Sequence, residues 1–173
     1  KITNANGRMT YLSKNHRDGK MWLSGNISVD KNGRTLAVCV RKNIVITSVS
    51  GSGTTVTVTT TNNHYLDSGY KVQMLGWTGT GGTFNGIYTI VSTGLKTFTY
   101  LASGTGTATG GTAGAIISPM NVSATSLNVP YQFSLSAYID DMQLDDVYDI
   151  YATSSTSGDV VTLHDLTWLL DCR

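Results

Sequence analysis

Only three residues in seventy-five carry a charge between Ile44 and Ser118: Asp67, Lys71 and Lys96. The other 98 residues hold the remaining 20 charges. Threonine and glycine fill the depleted stretch, 18 and 14 of them. Threonine is β-branched and favours strands, while glycine clusters punctuate them. A chain so divided has an outer and an inner part of different character. The division predicts a β-rich module, residues 44–117, inserted into a loop of a second β-rich domain made of residues 1–43 and 118–173.

Strand signals dominate the outer segments, and no helical periodicity exceeds about one turn. Tyr131, Phe133, Leu135, Ala137 and Ile139 alternate with Gln132, Ser134, Ser136 and Tyr138, the pattern of a half-buried strand. Leu144, Tyr148, Ile150 and Ala152 share a face in the next. In the last, Val161 and Leu163 lie on one parity, and Leu166, Trp168 and Leu170 on the other. A one-residue phase switch near His164-Asp165 predicts a β-bulge. Leu23, Ile27 and Val29 alternate with polar residues. Asp30-Lys31-Asn32-Gly33 then reads as a hairpin turn leading to Leu36, Val38 and Val40. Five or six strands are expected here, a number suited to a sandwich or jelly roll.

The inner segment carries its own series: Val45 to Val49, Thr54 to Thr61, Tyr70 to Leu75, Gly86 to Val91, Thr97 to Leu101 and Thr105 to Ile117. Glycine clusters at Gly51-Ser52-Gly53, Gly79-Thr80-Gly81-Gly82 and Gly110-Gly111 separate them.

A formal net charge of +1 without basic or acidic blocks gives no electrostatic reason to expect nucleic acid. No apolar run approaches the ~20 residues of a membrane span, so no membrane insertion is expected. The start at Lys1 reads as a cut from a longer chain, and the end as a natural terminus. Two cysteines, Cys39 and Cys172, read as free thiols, although a bond between them needs only that their strands be neighbours.

Resemblances sharpen this picture. The run Tyr131-Gln132-Phe133-Ser134-Leu135-Ser136-Ala137, then Val147-Tyr148-Asp149-Ile150-Tyr151-Ala152, then Val161 through Leu170, resembles the C-terminal strands of the complement-head/tumour-necrosis-factor-like jelly roll. Trp22 through Val29 and Leu36 through Asn43 look like its middle hairpin. Bacteriophage tail fibres and tailspikes, and related bacterial fibre proteins, often end in such domains. Asn63 through Val72, Phe84 through Ile90 and Thr97 through Tyr100 resemble a small β module recurrent in phage tail and bacterial surface proteins, a compact sandwich or barrel without known catalysis.

The resemblances imply an all-β, trimeric chain: a jelly-roll sandwich interrupted by a small inserted module. They imply a virion tail fibre, or an extracellular or cell-surface fibre. The function they imply is a non-catalytic receptor-binding tip that recognises a bacterial cell-surface glycan or protein. A structural trimerisation cap without ligand is the alternative, and a glycan-degrading enzyme fragment a third. No cofactor is implied. Trp22, Tyr138, Tyr148, Tyr151 and Trp168 are expected in the core or at the interface of the homotrimer.

Candidate sites follow from side-chain chemistry. Trp77, in the glycine-rich run Gly76 to Gly86, either stacks on a sugar or plugs the module's core. Asn85 and Tyr65 are its secondary ligand contacts. Asp140, Asp141, Asp145, Asp146 and Asp149 lack a recognised calcium spacing and read as solvated turns, so no metal site is assigned. His16, His64 and His164 pair with no recognisable nucleophile motif, and no catalytic residue is assigned.

Overall fold

A computed structural model describes residues 8–10, 19–79, 83–139 and 146–172. Those residues form strands joined by turns and loops, with no helix. In chain order the strands are β1 (Arg8–Thr10), β2 (Gly19–Val29), β3 (Arg34–Ile44), β4 (Ile46–Ser52), β5 (Thr55–Thr60), β6 (Lys71–Leu75), β7 (Thr78–Gly79) and β8 (Gly86–Gly94). Then come β9 (Thr97–Leu101), β10 (Gly106–Thr109), β11 (Thr112–Ala124), β12 (Tyr131–Ile139), β13 (Val147–Ser154) and β14 (Val161–Cys172). Two compact units result, residues 1–41 with 117–173 and residues 42–116.

The first unit is sandwich-like. One sheet runs β1-β13-β3-β11 and the other β12-β2-β14. Their inner faces share one core. Met21, Leu23, Ile27 and Val29 of β2, Phe133 and Leu135 of β12, and Val161 of β14 line one side. Leu36, Val38 and Val40 of β3, Val122 and Ala124 of β11, and Tyr148, Ile150 and Ala152 of β13 line the other. β13 buries alternate residues, as a period-2 pattern requires, whereas β3 is buried on both faces from Val38 to Lys42.

The bulge falls where the parity switch puts it. The β14–β2 register is regular from Val161 to His164, shifts, and resumes at Thr167. Asp165 takes the left-handed conformation there, at φ 51°. Leu163 before the shift, and Leu166 and Trp168 after it, therefore all pack against the same core. Gly25 sits beneath the bulge, where an added Cβ would lie 2.9 Å from the His164 carbonyl oxygen and from Leu166.

The expected hairpin of β2 with β3 does not form. β2 pairs with β12 and β14, and β3 lies in the other sheet. Both strands put apolar residues into one core from opposite sides, so Asp30-Lys31-Asn32-Gly33 is a corner between sheets. Its polar groups bind other loops: Asp30 N–H donates to the Val160 carbonyl at 3.1 Å. Val160 N–H donates to Asp30 Oδ1 at 2.9 Å, and Leu127 N–H to Asn32 Oδ1 at 2.6 Å. Gly33 has positive φ, as expected for this turn.

In the second unit the strand pairings are antiparallel and return on themselves. β4 pairs with β5, β5 with β9, β9 with β8 and β8 with β6. β6 pairs with the first residues of β11, Thr112 lying opposite Leu75. Across Gly110-Gly111 and Gly76-Trp77 the same two chain segments continue as β10 and β7, Thr109 opposite Thr78. β10 then pairs back to β4. The ladder is a closed ring, a small barrel that has removed its own sheet edges. Val49, Val56, Val58, Val72, Met74, Phe84, Ile90, Phe98 and Tyr100 fill it. The run Thr105 to Ile117, expected as one strand, is broken into β10 and β11 by Gly110, whose φ is +81°.

Candidate functional site

Trp77 follows Gly76, whose φ of +71° redirects the chain between β6 and β7. That turn sends the indole into the barrel, where Trp77 is 8 % exposed. Its Nε1–H donates to the Thr112 carbonyl at 3.0 Å. The ring lies flat on the Gly111 backbone, so close that a Cβ at position 111 would come within 2.4 Å of it. Asn85 clasps the Trp77 peptide from both sides. It accepts the Trp77 N–H at 2.7 Å and donates to the Trp77 carbonyl at 2.7 Å. The expectation of an exposed sugar-stacking Trp77, with Asn85 bonding the ligand, is thereby corrected. Trp77 plugs the core where β6–β7 meets β10–β11, and the Asn85 amide is spent on its backbone. Gly111 was the sequence signal for this packing, legible only as punctuation.

Around this plug the barrel interior is tightly fitted. Tyr100 stacks on Tyr88 with ring centroids 4.3 Å apart and donates its hydroxyl to the Phe84 carbonyl at 3.0 Å. Burial, reinforced by Tyr88, pushes the Tyr100 phenol well above its ordinary pKa. This is a structural hydroxyl, not a titrating one.

Tyr65 has a different setting. It lies in the loop 61–70 between β5 and β6, flanked by two buried side chains, His64 and Leu66. His64 pins the loop. Its Nδ1 accepts the Leu66 N–H at 3.0 Å, and its Nε2 lies 2.9 Å from the Gly94 carbonyl and 3.2 Å from that of Thr97. That pattern fits the tautomer protonated on Nε2. The imidazole also meets Phe98 edge to face, with centroids 5.5 Å apart. The His64 N–H donates to the Leu95 carbonyl at 3.0 Å, and the Gly69 N–H to that of Ile90 at 2.9 Å.

With His64 and Leu66 both turned inward, the residue between them adopts φ 52° and its ring faces out, 43 % exposed. Asn63 Nδ2 lies 3.4 Å from the Tyr65 hydroxyl, and the Lys42 ammonium lies 5.9 Å from the ring centroid. The structure thus joins Trp77 to Asn85 and leaves Tyr65 on a loop of its own.

Other candidates are occupied structurally. Ser28 Oγ and His164 Nε2 are 2.9 Å apart, and the Asp165 carboxylate lies 3.5 Å from Asn26 Nδ2. Asp149 pairs with Arg41 at 3.6 Å, and Asp146 accepts from the Tyr148 hydroxyl at 3.2 Å. Asp140, Asp141, Asp145, Leu144 and His16 lie outside the described residues, as does the side chain of Tyr138. Among the described residues no three His, Cys, Asp or Glu side chains gather as a metal site. Cys39 is a free, buried thiol. Burial, partly opposed by Arg41, pushes its pKa up to about 11.

These features define an all-β protein that joins a two-sheet sandwich to a charge-poor closed barrel. No protein-family model matches the chain, and no curated protein matches its sequence.

Proposed function

We propose that the chain is the receptor-binding tip of a trimeric fibre, of a phage tail or a bacterial surface, and that it adheres without catalysis to a cell-surface glycan or protein. The sandwich is the jelly-roll trimerisation domain in this reading, and the barrel is the insert that meets the receptor. The observation that carries it is the path of the chain. It passes from one sheet to the other at β1 to β2, β2 to β3, β11 to β12, β12 to β13 and β13 to β14. Between β3 and β11, where such a roll has its remaining strands, the whole barrel is found instead. A host fold that tolerates 75 residues at that point can present them as a recognition module.

Trimerisation draws support from the outer face of β12-β2-β14. Half-buried Trp22 lies opposite Leu169, which is 61 % exposed. An apolar pair in the middle of an outer sheet face suits a subunit contact. Light scattering tests it: a trimer is expected, and a stable monomer of about 18 kDa at micromolar concentration would overturn it. Cell-adhesion measurements on the same fragment test receptor binding.

The second reading, a structural cap without ligand, is favoured by one observation. Trp77, the aromatic most suited to a sugar, is committed to the core. Trimer formation with no adhesion to any cell surface would select it.

A further inference from the structure

We infer that the loop His64–Tyr65–Leu66 is a pre-organised stacking platform for the face of a pyranose ring, with Tyr65 as its contact residue. The inference rests on the adhesive reading of the chain and assigns the site that Trp77 does not provide. Its starting point is a conflict between backbone and side chain. The left-handed region is routine for glycine and tolerated by asparagine, and a bulky aromatic there is an outlier. The loop needs such a conformation, because His64 and Leu66 must both turn inward and the Leu66 N–H must reach His64 Nδ1. Glycine at position 65 would meet that need without strain. Tyrosine meets it at a cost that burial offsets only in part, since it is 43 % exposed, with the Lys42 ammonium 5.9 Å from its ring centroid. Strain held by a rigid surround is a recurrent property of ligand contacts.

The surround here is rigid. His64 is buried and bonded through both ring nitrogens. The loop backbone is tied to Leu95 and Ile90, and Ser68 Oγ accepts the Ser92 N–H at 2.9 Å. An aromatic face fixed in this way loses little conformational freedom on binding.

The chemistry beside the ring is that of a sugar site. The Asn63 amide lies 3.4 Å from the phenol oxygen, giving a donor and acceptor group at the rim of the stacking face. Asn62 and Thr61, which precede it in the chain, are exposed, and the Thr61 hydroxyl lies 3.1 Å from that of Thr47. An apolar ring face with an amide and its own phenol at the rim complements a pyranose, whose C–H face is edged by hydroxyls.

The test uses the full chain, a printed array of bacterial surface oligosaccharides, and adhesion to the host cells. Variants are Tyr65→Gly, Tyr65→Asn and Tyr65→Phe. Tyr65→Gly and Tyr65→Asn should lower array binding by about tenfold, the loss of one stacking contact. They should unfold at the same temperature as the parent or higher, because both residues accept the backbone conformation. Tyr65→Phe should keep most of the binding. Array binding within twofold of the parent in the glycine and asparagine variants overturns the inference and leaves the adhesive reading standing. So does a parent that adheres to cells but binds no oligosaccharide, which points to a protein receptor. A parent that adheres to nothing overturns the adhesive reading, and the inference with it.

Discussion

The packing of Trp77 on Gly111 yields the most quantitative test of the barrel. Replacing a buried Trp by Ala costs about 3–5 kcal/mol. Loss of the indole bond to the Thr112 carbonyl is part of that cost. For a unit of about 75 residues each kcal/mol corresponds to about 4–8 °C. Trp77→Ala should therefore lower the barrel's melting temperature by at least about 12 °C. Gly111→Ala is the complementary perturbation. Gly111 is not in the left-handed region, and the atoms nearest to an added Cβ belong to the indole ring, 2.4 Å away. Overpacking of this kind costs about 1–3 kcal/mol. If the ring is the sole obstacle, Gly111→Ala should cost almost nothing once Trp77 is already Ala. The double-mutant coupling should then be about 1–3 kcal/mol. Urea and thermal unfolding of the full chain, followed by far-ultraviolet circular dichroism, measure all four corners. Additive effects, or a Trp77→Ala melting point within about 2 °C of the parent, would refute the reasoning and restore an exposed Trp77.

Three further outcomes follow from buried or tethered groups. His64→Ala strands the Leu66 N–H and the Gly94 and Thr97 carbonyls, and should destabilise by at least about 2 kcal/mol in urea titrations. Cys39, its pKa pushed up to about 11 by burial, should resist iodoacetamide at pH 8 until the protein is unfolded, as read by peptide mass mapping. Asp159 accepts from Ser154 Oγ and from Arg34 Nε, each at 2.7 Å. The Ser154 bond first, then Arg34, holds its carboxyl below the ordinary value, against an opposing push from burial. A depressed folded pKa gives stability that is present above the ordinary value of about 3.9 and lost as pH falls through the folded one. Asp159→Asn should accordingly flatten the fall of melting temperature below about pH 4, and an unchanged acid limb would dismiss the linkage.

The legible part of the fold was whatever alternation alone decides. Phe133 and Leu135, Tyr148, Ile150 and Ala152, and the parity switch near His164 all specify burial locally, because a strand shows its two faces in alternate residues. The composition break likewise fell within a residue or two of the unit boundaries. Pairing partners were not legible. Leu23 to Val29 and Leu36 to Val40 have the pattern and the turn of a hairpin, yet the same pattern serves two strands facing each other across a core. Only the partners available elsewhere in the chain, β12 and β14 for β2, decide between them. The two readings of Trp77 stay open in the sequence for a related reason. A glycine-rich loop can free an aromatic side chain, or it can clear the space in which that side chain packs. Gly111, 34 positions from Trp77, does the second. Tyr65, expected as a secondary contact of Trp77, is set apart from it by a loop and a backbone conformation that the presence of a tyrosine argues against rather than signals.

The scarcity of charge that divides this sequence has a physical basis in the barrel wall. β4, β5, β9 and β10 are consecutive neighbours around the ring, and none contains a charged residue. Their outward positions form cross-strand rows: Thr107, Ser50, Thr57 and Thr99 stand opposite one another in turn, as do Thr59 and Thr97. Branched hydroxyl side chains pack well against cross-strand neighbours and remain wetted. They supply the solubility that charges give elsewhere, and ring closure removes the edges that charges would otherwise have to protect. The depletion is therefore already explained by the architecture of a small closed barrel. The sugar-stacking inference rests instead on Tyr65, an exposed aromatic at a position whose backbone conformation a glycine would meet without strain.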